Sequence, residues 1–172
     1  VAQYRAFVEQ SGHKPEDSDC LHALDTYPVV NITWHEALKY CQWLTTQLRA
    51  WQKTPEPLAT LLRKEGWEVT LPSEAEWEKA ARGTEGLLYP WGNDWREEHA
   101  NTAEARIGHP SAVGCFPQGV SPYGCLDMAG NVWEWTRSLW GKDGRKPDFL
   151  YPYNLIDGRE DLHTSDNVLR VL

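Results

Sequence analysis

Ser121-Pro122-Tyr123-Gly124-Cys125-Leu126-Asp127-Met128-Ala129-Gly130-Asn131-Val132-Trp133-Glu134-Trp135-Thr136 is the most informative run of the chain. Its first half is turn chemistry, a Ser-Pro pair with a glycine two residues on. Its second half alternates as an extended segment would. Val132 and Glu134 share one face, Trp133 and Trp135 the other. A face carrying two indoles calls for a deep core or a broad binding surface. Gly130-Asn131 can turn backbone carbonyls outward, and Asn131 and Glu134 add side-chain oxygens. Several hard oxygens converging from a turn and a strand are what a calcium ion requires.

Other blocks have the same character. Tyr27-Pro28-Val29-Val30-Asn31-Ile32-Thr33-Trp34 precedes a helix. Leu71-Pro72-Ser73-Glu74-Ala75-Glu76-Trp77-Glu78 opens another. Tyr89-Pro90-Trp91-Gly92-Asn93 is a tight turn with two aromatics. Together with Gly130-Asn131-Val132-Trp133-Glu134-Trp135, these ordered blocks resemble the formylglycine-generating-enzyme (sulfatase-modifying-factor) domains. The resemblance covers residues 27 to 136. It implies an α+β, C-type-lectin-like fold with two or three helices, short antiparallel strands and a high irregular content. The indoles of Trp34, Trp77, Trp91, Trp133 and Trp135 are the expected core.

The resemblance also implies two calcium positions. One is the Asn101 side chain with the Thr102 carbonyl, although the loop from Glu104 to Pro110 is too short to align the Asp that completes it in relatives. The other is Asn131 or the Gly130 carbonyl, the Val132 carbonyl and the Glu134 carboxylate. The family's enzymes oxidise a client cysteine to formylglycine with two copper-holding cysteines of a C-terminal segment. None of Cys20, Cys41, Cys115 and Cys125 occupies that motif, so no catalytic residue and no copper is expected in this chain. The alternative is a non-catalytic lectin-like module that displays a ligand surface, as in the variable proteins of retroelements. A protein or peptide ligand suits either reading.

The chain has 172 residues and ten tryptophans. That length suits one domain with a sizeable core, and bulky indoles can fill it within a loop-rich fold. The opening inside a helix and the apolar strand beginning at Val168-Leu169-Arg170-Val171-Leu172 read as the cut ends of a larger domain. A net charge of −8 argues against a nucleic-acid surface, which wants a basic stripe. No apolar run spans a bilayer and no signal peptide is visible, which makes the cytoplasm the expected compartment. Cys41 reads as a buried thiol, and Cys115 and Cys125 could pair in an oxidising compartment.

Periodicity and punctuation place the helices. Val1, Tyr4, Phe7 and Val8 share a face, with Gly12 as the stop. Thr33-Trp34-His35-Glu36 is a capping box opening a helix to about Arg49, and Leu58 to Lys64 is a short helix. Trp67 to Leu71 reads as a strand. Ser73-Glu74-Ala75-Glu76 is a second capping box, with a helix to Arg82 closed by Gly83. Glu74 and Glu76 suit a helix N-terminus without acid–base duty. His13, Asp19 and His22 fit no ligand spacing and read as solvated loop. Residues 157 to 166 lack the pattern of an EF-hand and read as a solvated insertion.

Overall fold

The computed structural model describes residues 1–172. Backbone contacts divide the chain into two units, Val1–Leu71 and Pro72–Leu172.

The first unit is helical. α1 (Ala2–Ser11) ends at Gly12, whose φ of 70° places it in the left-handed region and lets its N–H reach the Val8 carbonyl. Glycine adopts that conformation without a Cβ clash. α2 (Trp34–Ala50) opens with the expected capping box: Glu36 N–H donates to Thr33 Oγ1 and Thr33 N–H to Glu36 Oε2. Tyr4 and Phe7 from α1 pack with Cys20, flanked by Tyr40 and Trp43 of α2. α3 (Leu58–Lys64) lies against α2, tied by Arg49 Nε to the Leu62 carbonyl at 3.0 Å and Arg63 Nε to the Arg49 carbonyl at 2.9 Å. Trp34 is 4% exposed and Cys41 is buried, as the helical spacing requires.

Two expectations for this unit are corrected. No strand forms over 67–71. A strand needs a neighbouring ladder, and here the Val69 N–H finds the Thr45 hydroxyl on α2 instead, at 2.9 Å. His13 is not a solvated loop residue. Its ring stacks on Phe7, and Nε2 lies 3.0 Å from Glu36 Oε1.

The second unit begins with α4 (Glu74–Arg82), capped by Ser73 and Glu76 and stopped at Gly83. Arg137 and Ser138 strap its first turn. The Arg137 N–H donates to the Pro72 carbonyl at 2.8 Å, and Ser138 Oγ accepts from the Glu74 N–H at 2.9 Å. Beyond Gly83 the chain is mostly irregular. Tyr89 and Trp91 stack 5.4 Å apart within their turn, with Trp95 beside them. The regular β structure is one antiparallel pair, β1 (Leu139–Gly141) with β2 (Leu169–Arg170), Leu139 opposite Arg170. Flanking bonds extend it: Val171 N–H to the Ser138 carbonyl, and Thr136 N–H to the Val171 carbonyl. The apolar run at 168–172 therefore has a partner inside the chain.

The segment 132–135 forms no strand and makes a bend at Val132, which overturns the alternating strand. Gly130 at φ 79° and Asn131 at φ 69° make a left-handed corner before it. Without a pleat, the two indoles do not share a buried face. Trp133 is 83% exposed, a correction to its place in the expected core, whereas Trp135, Trp77 and Trp91 are half-buried. Residues 157–166 are likewise not merely solvated. Arg159 is 3% exposed, and its carbonyl accepts the Leu139 N–H at 2.7 Å. All four cysteines are free. No helix is long and apolar enough to cross a membrane.

Candidate metal and ligand site

The second unit carries an open cavity of about 1110 Å³. One wall is the α4 face carrying Glu74, Trp77 and Glu78, three and four residues apart and therefore stacked along one side of the helix. The facing wall is the turn from Asp127 to Glu134.

The two walls meet at a single strong contact. Trp77 Nε1 donates to Glu134 Oε2 at 2.7 Å. An indole is a donor only, so this bond satisfies it and fixes one carboxylate oxygen. Burial pushes the Glu134 carboxyl above its ordinary range, the indole pulls against that, and the Asp127 charge adds to the rise. Two acidic groups therefore share this end of the cavity. Asp127 sits at φ 58°, and its Oδ2 accepts the Gly114 N–H at 2.9 Å. Sequence reasoning missed Asp127. An aspartate in a turn has a bland explanation, and its charge acts on Glu134 only once the corner at 130–131 has placed the two on one cavity wall.

The structure brings Asn101 and Asn131, assigned separately from sequence, into one network. The Asn131 N–H donates to the Asn101 carbonyl at 2.8 Å. Asn131 Oδ1 accepts from Ser111 N–H at 2.8 Å, from Ser111 Oγ at 3.3 Å and from Asn101 Nδ2 at 3.3 Å. Asn101 Nδ2 also donates to the His109 carbonyl at 3.0 Å. Both amides thus knit the 101–111 loop to the turn. Gly130 is required at their junction, since a Cβ there would lie 2.4 Å from the Asn101 carbonyl oxygen. Thr102 turns its hydroxyl to Glu104 Oε2 at 2.7 Å. Oxygens with spare capacity are the Gly130 and Val132 carbonyls, Asp127 and Glu134.

The fit to a calcium ion rests on this donor set. Calcium takes carboxylates and carbonyls in flexible geometry, and a cation would relieve the raised Glu134. No three His, Cys, Asp or Glu side chains gather anywhere in the chain. A site here must therefore lean on backbone carbonyls.

A loop-dominated α+β domain, pinned at one turn by an indole–carboxylate bond, is the class of protein that the fold and site define. The chain belongs to the sulfatase-modifying factor enzyme 1-like domain family, whose sequence profile matches residues 1–170. It is 31% identical over 158 residues to the formylglycine-generating enzyme of Bos taurus, covering 84% of this chain and 35% of that protein. It is 32% identical over 144 residues to the formylglycine-generating enzyme of Mycobacterium tuberculosis, covering 76% and 36%. It is 33% identical over 141 residues to the inactive C-alpha-formylglycine-generating enzyme 2 of Mus musculus, covering 76% and 38%. The chain thus spans roughly a third of the length of these relatives.

Proposed function

We propose that this chain is the scaffold portion of a formylglycine-generating-type domain with a C-type-lectin-like fold. It holds a structural calcium ion at the Asp127–Glu134 turn and carries no cysteine-oxidising chemistry of its own. The observation behind the calcium reading is the Trp77–Glu134 bond at 2.7 Å, with Asp127 acting on the same carboxyl. The ligands would be the Asp127 and Glu134 carboxylates with the Gly130 and Val132 carbonyls. Bound there, the ion supplies charge compensation and ties the turn together. Asn101 and Asn131 set the turn's shape.

The burial of two of the four cysteines supports the second half of the proposal. Burial pushes the Cys20 and Cys41 thiols up, and a thiol kept protonated in the core is a poor nucleophile and a poor copper ligand. Among the relatives, one name denotes an inactive protein and others denote enzymes, so membership of the family does not decide activity.

Two measurements test the proposal. Incubation of the chain with copper, a thiol reductant, oxygen and a cysteine-bearing sulfatase peptide leaves the cysteine unchanged by mass spectrometry; formylglycine in the product overturns the non-catalytic reading. Calcium at a hundredfold excess over its Kd stabilises the fold by about 2.7 kcal/mol. That gain is absent in Asp127→Asn and Glu134→Gln. A wild-type melting curve indifferent to millimolar calcium removes the metal from the proposal.

A further inference from the structure

Two of the four thiols are out of reach. Cys20 is 1% and Cys41 8% exposed, and burial pushes both up. A thiol kept protonated in the core is a poor nucleophile. The other two lie in the second unit, where Cys115 is exposed and Cys125 half-buried. Neither the scaffold role nor the calcium turn uses them.

The chain closes on itself immediately outside this pair. The Gly114 N–H donates to Asp127 Oδ2 at 2.9 Å. A Cβ on Gly114 would stand 3.3 Å from Leu126 Cδ1, so Gly114 sits directly against the Leu126 side chain. Cys115 follows the first of these residues and Cys125 precedes the second. Each thiol is therefore a single residue inside the same closed loop. The loop between them folds on local bonds: Gly119 N–H to the Phe116 carbonyl, Gly124 N–H to the Ser121 carbonyl, and Ser121 N–H to the Cys125 carbonyl. A glycine precedes each cysteine, Gly114 at φ 78° and Gly124 at φ 81°, and nothing lies within 4 Å of a Cβ built on Gly124. That backbone freedom lets the two Cα atoms reach the roughly 4.4–6.8 Å that a disulfide spans.

We infer that Cys115 and Cys125 are a reversible thiol–disulfide site whose oxidant is a small-molecule disulfide of the glutathione class. The Cys115 thiolate, the exposed one, attacks a sulfur of the small disulfide. That S–S bond breaks, one glutathione leaves as its thiol, and a mixed disulfide remains on Cys115. The Cys125 thiolate then attacks the Cys115 sulfur and expels the second glutathione. Two protein thiols lose two protons and two electrons, and one glutathione disulfide is reduced to two thiols. The closed ring holds the base of the loop, where Gly114 meets Leu126 and Asp127. The inference goes beyond the scaffold reading and does not depend on calcium, because neither sulfur belongs to the proposed oxygen set.

Trypsin leaves both cysteines in one peptide, 107–137. The reduced, folded chain is incubated with oxidised glutathione in calcium-free buffer, trapped with N-ethylmaleimide in urea and digested. Mass spectrometry should find this peptide two hydrogens lighter than its reduced form and without maleimide, and dithiothreitol should restore both thiols. Cys125→Ser should stop at the glutathione adduct of Cys115. Closing a loop of this length should raise the melting temperature of the oxidised wild type by roughly 6–12 °C. Two maleimides on the wild-type peptide, glutathione retained on both cysteines, a bond that joins two chains, or a ring that forms only in urea would each overturn the inference. So would closure without a gain in melting temperature, since the fold would then resist the bond, or a Cys125→Ser chain that takes up no glutathione. The calcium reading stands or falls separately, on its own melting curve.

Discussion

The Glu134 carboxyl has one oxygen on the Trp77 indole and feels the Asp127 charge from the same turn. Burial is the largest influence on it and raises its pKa, and the neighbouring acid adds to the rise. A group whose folded pKa is raised contributes stability that is fully present below its unfolded value. That contribution is lost as pH rises through the folded value. Without calcium, this end of the molecule is therefore strained at neutral pH and relaxes on mild acidification. Glu134→Gln in calcium-free buffer at pH 7 should raise the melting temperature by about 2–4 °C, the response of a chain this size to roughly 1 kcal/mol. With saturating calcium the sign reverses, because the variant forgoes a ligand. Differential scanning calorimetry at pH 5 and 7, with and without the ion, reads both signs.

Each of the two longer caps shows how far local chemistry reaches. Thr33 with Glu36, and Ser73 with Glu76, close reciprocal boxes, and each follows from hydroxyl and carboxylate spacing alone. Sequence could not reveal that Glu36 is 1% exposed. Burial pushes its carboxyl up. Donation from the Thr33 and Glu16 N–H groups, aided by His13 and the Thr33 hydroxyl, outweighs burial and holds it below the usual range. A depressed carboxyl contributes stability that is present above its unfolded value and lost as pH falls through the folded one. The first unit should accordingly weaken in acid. Glu36→Gln should cost about 3 kcal/mol, the scale of hydrogen bonds lost by a buried carboxylate, against about 1 kcal/mol for Ser73→Ala, a hydroxyl cap alone. Urea unfolding of the two variants separates these magnitudes; equal losses would mean that Glu36 acts only as a cap.

In the second unit, charged side chains hold the irregular chain where ladders are few. Arg159 donates from Nε and Nη2 to Asp157, and from Nη2 to the Leu150 carbonyl at 3.0 Å. Its guanidinium lies 4.5 Å from the Tyr153 ring centroid. Glu160 accepts from Arg137, Ser138 and Tyr153. These contacts carry the 149–160 loop back to β1. Arg159→Leu should lower the stability of the unit in urea unfolding, since the loop loses the guanidinium bonds to Asp157 and to the Leu150 carbonyl. Amide hydrogen exchange should quicken across 149–160 and at Leu139. Unchanged protection there would show that the loop is held by its apolar contacts.

Periodicity and punctuation along the sequence located the four helices, one more than the resemblance implied, and the capping boxes of α2 and α4. α3 and α4 end where the periodicity and the glycine punctuation place them, and α2 runs one residue past its expected end. Those signals act within a few residues, so no distant partner is needed to read them. The ordered Trp- and Pro-bearing blocks likewise determined the family, together with the turn that carries Gly130 and Glu134. Tertiary structure alone decided that residues 132–135 form no strand, that Trp133 faces the cavity, and that Asp127 lines the same cavity as Glu134. It also joined Asn101 to Asn131 across thirty positions. A strand is defined by its neighbour, and a site by groups brought together from separate turns. Both depend on where the left-handed corner at Gly130-Asn131 sends the chain, and alternation along a single segment carries no record of that direction.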